Sequence, residues 1–201
     1  VHAAIEWPSA GAATIARDWF RRYRADAEAL PLEWFAEAAL RHACHPGALA
    51  QETGAPLARV MRRLASLPDD AADGLPARGI AICDGAGALR IHRPLAGLEL
   101  PRTAPGCPLL PLYTALTQPA RPIRTVMAMP GGSAPRLTAY AVAEAVPDPR
   151  FDAPPILEAT MLVVADAPEG PALAVGRTCR ICPRSDCAAR REPPIVPGLT
   201  G

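Results

Sequence analysis

The sequence predicts an α+β fold: an N-terminal helical region followed by a small antiparallel, meandering sheet. Three observations lead there. Apolar residues recur at helical spacing up to about residue 68. A Pro-, Gly- and Asp-rich stretch, LPDDAADGLPARG, interrupts the chain at 67–79. Beyond it the pattern changes to short β-like runs punctuated by Pro and Gly. With 25 Pro in 201 residues, a long uninterrupted helical bundle is excluded. The expected organisation is a helical region over 1–68, a linker over 69–78 and an α+β domain with a C-terminal cysteine loop over 79–201.

Each element has its own signal. Residues 14–30 carry Ile15, Trp19, Phe20, Tyr23, Ala27 and Leu30 as one apolar stripe, expected to face the core. Pro31 breaks this helix and suits the first turn of the next, Leu32 to Cys44, whose buried side is expected to be Trp34, Phe35 and Ala38. Pro46 opens a third helix, Gly47 to Glu52, and Gly54 supplies its C-terminal turn. Pro56 opens a fourth, with Leu57, Val60, Met61, Leu64 and Leu67 at core spacing. The third and fourth helices have a helix-turn-helix outline, and Arg59, Arg62 and Arg63 on the second of them could face phosphates. The weak overall charge favours a plain helical hairpin with solvated arginines instead. After the linker, Gly79–Cys83 and Ala88–His92 flank a hairpin turn at Asp84-Gly85. Residues 111–117 form a short helix, and 123–129, 137–146, 156–165 and 172–175 are the remaining strands. MPGGSAPR (129–136) is the turn between the first two of these, and the Pro-rich tail from Arg190 is expected to run extended over the surface.

Composition narrows the function. Aromatic residues are 4%, so the core rests on Leu, Val and Ile. There are 21 basic residues, all Arg, against 20 acidic ones, and a net charge of +1 argues against a strongly basic nucleic-acid-binding surface. No window reaches 18 apolar residues, so no membrane span is expected. Nothing at the start reads as a secretory signal, so a cytoplasmic location is expected. No nucleophile-elbow, P-loop or dinucleotide-binding motif occurs in a fitting context, so no enzyme is expected. A further candidate, His42 and His45 flanking Cys44, reads as a solvated helix end rather than a metal site.

The chemistry concentrates in the cysteines. Cys179, Cys182 and Cys187 form a C-x2-C-x4-C loop. Three thiolates on one tight loop can fill three corners of a metal or cluster site, and Cys107 in APGCPLLPLY is the obvious fourth. Four cysteines suit structural Zn²⁺ or a [4Fe–4S] cluster. The spacing differs from the paired C-x2-C of a zinc ribbon and leans to iron–sulfur. Cys44 and Cys83 carry no such signal.

Two motifs carry a resemblance. APGCPLLPLYTAL and GRTCRICPRSDCAARREPP are similar to the patterns GxxCPLWxxxxAF and GxxCRxCxRxDCxxRxxPP of the short-chain fatty acyl-CoA regulators, a family of bacterial transcription factors. The second match is close; the first has Leu110 where the family has Trp. The resemblance runs from about residue 25 to 195. It implies a sensor that binds CoA or a short-chain acyl-CoA to control propionate-type metabolism. It also implies a [4Fe–4S] cluster on Cys107, Cys179, Cys182 and Cys187, near the ligand cavity of a homo-oligomer. The family's phage-repressor-like helix-turn-helix has no counterpart here, so DNA contact is expected only through a domain absent from this chain. Forked arginine contacts suit the CoA phosphates. Arg93 and Arg102, before the first cysteine, and Arg180 and Arg190, within the second motif, are the candidates. Structural Zn²⁺ in a protein-interaction module is the alternative reading, and an iron–sulfur redox subunit a third.

Overall fold

The structure, a computed structural model, describes residues 6–101, 104–130, 136–146 and 151–196. Four helices come first: α1 (Ala10–Ala29), α2 (Leu32–Arg41), α3 (Pro46–Thr53) and α4 (Leu57–Ser66). Then follow β1 (Arg78–Asp84), β2 (Leu89–Arg93), α5 (Pro111–Leu116), β3 (Ile123–Ala128), β4 (Arg136–Ala145), β5 (Leu157–Val164) and β6 (Leu173–Ala174). The strands form one sheet in the order β2-β1-β5-β4-β3-β6. All pairs are antiparallel except β3 with β6. The α+β prediction holds, but the parallel β3–β6 pair makes the sheet mixed, and β5 inserts between β1 and β4, so the sheet is not a simple meander.

Strand alternation gives the sheet two apolar faces. On one, Ile80, Ile82, Val142, Leu162 and Val164 pack against Leu30, Phe35, Leu49, Met61 and Leu64 of the helical layer. On the other, Ala81, Cys83, Ala139, Ala141, Met161 and Val163 pack against Leu98, Leu110, Leu112 and Ala115 around α5. The sheet is therefore the middle of a sandwich, and the helical layer shares a core with it. Residues 69–77 are a run of turns between α4 and β1. Arg78, expected in the linker, opens β1, and its buried guanidinium donates to the carbonyls of Leu64, Leu67, Pro68 and Pro76.

Local chemistry explains the boundaries. Ser9 caps α1 by accepting from the Ala12 amide at 3.1 Å, so the helix starts earlier than its apolar stripe suggests. The α2 helix stops at Arg41, because Ala43 and Cys44 both adopt left-handed backbone that turns the chain and buries Cys44. Gly54 closes α3 at φ 68°, as expected. In the β1–β2 turn the side chain of Asp84 accepts from the Ala86 and Ala88 amides, and Gly87 rather than Gly85 supplies the positive φ. The turn expected at 129–136 lies largely outside the described residues.

Two expected core assignments fail. Ile15 is 69% exposed and Phe20 50%, with Trp19 and Tyr23 also exposed, so of the α1 stripe only its C-terminal end, at Leu30, reaches the core. Trp34 is exposed while Phe35 and Ala38 are fully buried. The physical reason for α1 is that polar contacts anchor it. Asp26, buried, accepts two bonds from Arg62 at 2.7 and 2.9 Å and lies 3.3 Å from Arg59 Nε. Arg22 pairs with the buried carboxylate of Glu158. The arginines of the α3–α4 hairpin are thus neither phosphate-facing nor wholly solvated. Arg59 and Arg62 hold Asp26, and Arg63 is buried with its Nε donating to the Leu30 carbonyl at 2.7 Å.

Candidate functional site

Two chain segments meet beside the outer end of the sheet. The Cys107 turn precedes α5, where Pro111 sits in the first helical turn. The second segment follows β6 and folds back as a loop over 175–192, with a single 3-10 turn at Cys179–Ile181. Backbone bonds join them. The Cys107 amide donates to the Arg177 carbonyl at 3.0 Å, and the Val175 amide to the Ala128 carbonyl of β3 at 3.0 Å. Arg191 adds a bond to the Gly106 carbonyl at 2.7 Å, and Arg184 one to the Ala174 carbonyl at 2.7 Å.

The result is one small cavity lined by Cys107, Cys179, Cys182 and Cys187, together with Gly176, Thr178 and Arg190. The four cysteines singled out in the sequence, some seventy positions apart between first and second, therefore share one wall. None forms a disulfide; three are buried and Cys187 is half-buried. Among the described residues, no three His, Cys, Asp or Glu side chains are placed to hold a single metal ion.

Two further details mark the cavity as built. The Thr178 hydroxyl is buried with no hydrogen-bond partner, an arrangement that costs free energy unless something nearby receives it. A Cβ added at Gly176 would lie 3.1 Å from Cys182 Sγ, so glycine there keeps room around that sulfur. A group held by four thiolates fits this lining by donor chemistry.

The four arginine candidates part company. Arg190 lines the cavity, and its guanidinium donates to the carbonyls of Cys179 and Cys182 at 3.3 Å and also to those of Arg184 and Glu192. It ties the ligand loop together. Arg180 points outward and pairs with Glu192 at 3.0 Å. Arg93 lies far from the cysteines in the fold, on the helical side of the sheet, donating to the Ala65 and Leu67 carbonyls and to Asp69. Arg102 lies outside the described residues.

Cys44, Cys83, His42 and His45 have structural roles. Burial pushes Cys83 up to about 11 and raises Cys44, so neither is a ready thiolate. His45 Nδ1 accepts from the Ala48 amide as the cap of α3, and its ring meets Tyr140 edge-on. His42 pairs with Glu52 at 2.5 Å.

Sequence reasoning missed a second concave feature. Between α1 and the β1–β2 edge lies a cavity of about 490 Å³ walled by Trp19, Phe20, Tyr23, Ile80, Ile82 and Ile91, with Arg93 also on its wall. It is continuous in lining with an outer groove of about 920 Å³ that shares Trp19, Phe20, Arg22 and Ile91. The available signal was the run RDWFRRYR, which interleaves aromatics with arginines instead of the Leu and Ala of an ordinary buried face.

Comparison with known proteins agrees with this architecture. The chain superposes on a solved Mycobacterium tuberculosis transcriptional regulator with a TM-score of 0.72 over 93% of this chain and 60% of that one, at 24% identity, which establishes the shared fold. It is 30% identical over 199 residues to the propionyl-CoA carboxylase regulator of Cereibacter sphaeroides, covering 93% of this chain and 42% of that protein. The chain thus spans less than half the length of this curated relative. The family model for the short-chain fatty acyl coenzyme A regulator C-terminal domain matches residues 66–200, which take in the whole sheet and all four cavity cysteines. On that match, the chain belongs to the short-chain fatty acyl-CoA regulator family.

Proposed function

We propose that this chain is the sensing part of a bacterial transcriptional regulator of short-chain fatty acid metabolism. It binds CoA or a short-chain acyl-CoA of the propionyl type and carries a [4Fe–4S] cluster. Family membership and the relative's name support the regulatory role. The observation that carries the cluster reading is the cavity shared by Cys107, Cys179, Cys182 and Cys187.

Four thiols lining one cavity are the donor set that a [4Fe–4S] cluster would take. Structural Zn²⁺ remains the second reading, since its donor set is the same. When bound, the cluster supplies a covalent link between the Cys107 turn and the C-terminal loop, and an oxidisable centre.

The chain's own residues do the rest. Arg190 gathers the carbonyls of Cys179 and Cys182 and so fixes the direction in which those cysteines leave the backbone. Arg191 fastens the Cys107 turn to the same loop through Gly106. Because the Cys107 turn leads directly into α5, and α5 packs on β4 and β5, a change in the loop reaches the centre of the sheet. Ligand would act by favouring one of two oligomer geometries, which requires different affinity for the two. Among the described residues no helix is long and apolar enough to cross a membrane.

The test is a thermal melt with propionyl-CoA. Binding at one hundred times Kd stabilises the fold by about 2.7 kcal/mol, which for this size raises Tm by about 5–11 °C. No rise at millimolar ligand, with the metal site loaded, refutes the acyl-CoA reading.

A further inference from the structure

Thr178 stands directly before Cys179, at the N-cap of the 3-10 turn Cys179–Ile181. A threonine at such a position ordinarily spends its side-chain oxygen on an amide of the turn it precedes. This one does not. The residue is extended, at φ −155° and ψ 163° less six degrees, that is 157°, and its side chain makes no capping bond. Thr178 is only 6% exposed, and its Oγ1 is buried without a hydrogen-bond partner among the described residues. It lines the same cavity as the four cysteines.

The two arginines of that wall already serve the backbone. Arg190 spends its terminal nitrogens on the carbonyls of Cys179, Cys182, Arg184 and Glu192. Arg184 donates to the Ala174 carbonyl. Among the described residues, Thr178 brings the one hydroxyl to this lining. A hydroxyl has a single proton to donate, and burying it unpaired costs free energy. The acceptor that the wall's own chemistry supplies is sulfur carrying negative charge, on a ligating thiolate or on a sulfide of a cluster.

We propose that the Thr178 hydroxyl donates a hydrogen bond to a sulfur of the cluster held by Cys107, Cys179, Cys182 and Cys187, and so sets its reduction potential. The assignment rests on the cluster reading above and adds the residue that tunes it. Reduction brings one electron, and with it one negative charge, onto the cluster. A donor at sulfur stabilises that added charge and raises the potential. It also makes the hydroxyl a positioning residue. Its bond is available only when the group is bound, so Thr178 favours the loaded site over the bare one.

Two variants of the intact chain test it. Thr178→Val keeps the shape and removes the hydroxyl, and Thr178→Ser keeps the hydroxyl. Each is melted without iron, then reconstituted anaerobically with iron and sulfide and titrated electrochemically. Without iron, Thr178→Val should melt about 2–4 °C above the parent, because it removes an unpaired buried hydroxyl. After reconstitution its midpoint potential should fall by the equivalent of about tenfold in the reduction equilibrium, about 59 mV for one electron. Thr178→Ser should stay near the parent. Loss of iron from Thr178→Val with retention in Thr178→Ser supports the assignment equally. Equal potentials in a fully loaded Thr178→Val and the parent overturn it, though the cluster reading stands. So does loss of iron from both variants, or a lower iron-free Tm in Thr178→Val, which would mean that the hydroxyl serves the protein itself. If the parent chain takes up no iron and sulfide, the cluster reading fails and this assignment with it.

Discussion

Replacing Asp26 by Ala isolates the force that holds α1 in place. The helix is 20 residues long, yet Ala13 is its one buried apolar side chain. Its attachment therefore rests on Asp26 and Arg22. The Asp26 carboxylate is 6% exposed and receives two charge-assisted bonds from Arg62 at 2.7 and 2.9 Å. Removing one partner of a buried pair costs about 3–5 kcal/mol, because the other charge is left unpaired. Arg62 is 19% exposed and Arg59 38%, so both can turn partly to water, which puts the cost near the low end, about 3 kcal/mol. For a chain of this size that lowers Tm by about 6–12 °C. The assay is urea unfolding followed by far-UV circular dichroism and tryptophan fluorescence. Trp19 on α1 should report an earlier transition than the core. Glu28→Ala is the control: its pair with Arg24 lies on the solvent side of the same helix, and its removal should leave the midpoint unchanged. Equal midpoints for Asp26→Ala, Glu28→Ala and the parent chain would refute the reasoning.

Three other outcomes follow from the same structure. Arg78→Met strands four carbonyls that one buried guanidinium serves and should cost about 3 kcal/mol or more in chemical denaturation; a loss below about 1 kcal/mol contradicts that role. Burial and the nearby Arg124 hold His45 below its ordinary pKa, and its Nδ1 must be unprotonated to cap α3. The folded chain then binds fewer protons than the unfolded one, so stability fully present above about pH 6.5 is lost progressively as pH falls below that value through the lower folded-state pKa. His45→Asn, which keeps a capping acceptor, should flatten the Tm-against-pH curve between pH 7 and 5; an equal slope in both contradicts the assignment. Gly176→Ala puts a methyl 3.1 Å from Cys182 Sγ. A free thiol turns aside, whereas a liganded one cannot, so this variant should keep its apo-state Tm and lose iron on reconstitution. Full iron content would argue against Cys182 as a ligand.

Much of this molecule can be read from its sequence, and the exceptions have physical causes. Pro31, Pro46, Pro56 and Gly54 punctuate the helices where the structure does, because their backbone constraints act locally. The apolar runs of β4 and β5, bounded by Pro- and Gly-rich stretches, likewise give strands of nearly the expected extent. Strand order is less accessible: the insertion of β5 between β1 and β4 depends on pairings between segments distant in sequence. The C-x2-C-x4-C loop and Cys107 come together as expected, since dense cysteines are a signal that survives any fold. The α1 stripe misled because periodicity shows which side chains share a face but not what covers it. There the deciding contacts are ion pairs from Arg59, Arg62 and Glu158, residues whose partners no local pattern reveals. Arg93 fails as a neighbour of the cysteines for the same reason: β2 sits at the far edge of the sheet from β3 and β6.

The central claim is that four cysteines from two segments hold one iron–sulfur cluster. Iron, zinc and acid-labile sulfide should be measured on anaerobically purified protein, alongside its visible spectrum. The account predicts about four iron and four sulfide per chain, as a cubane on four thiolates requires, with broad absorption near 400 nm that Cys187→Ser abolishes and Cys44→Ser preserves. One zinc per chain without sulfide, and no colour, would contradict it.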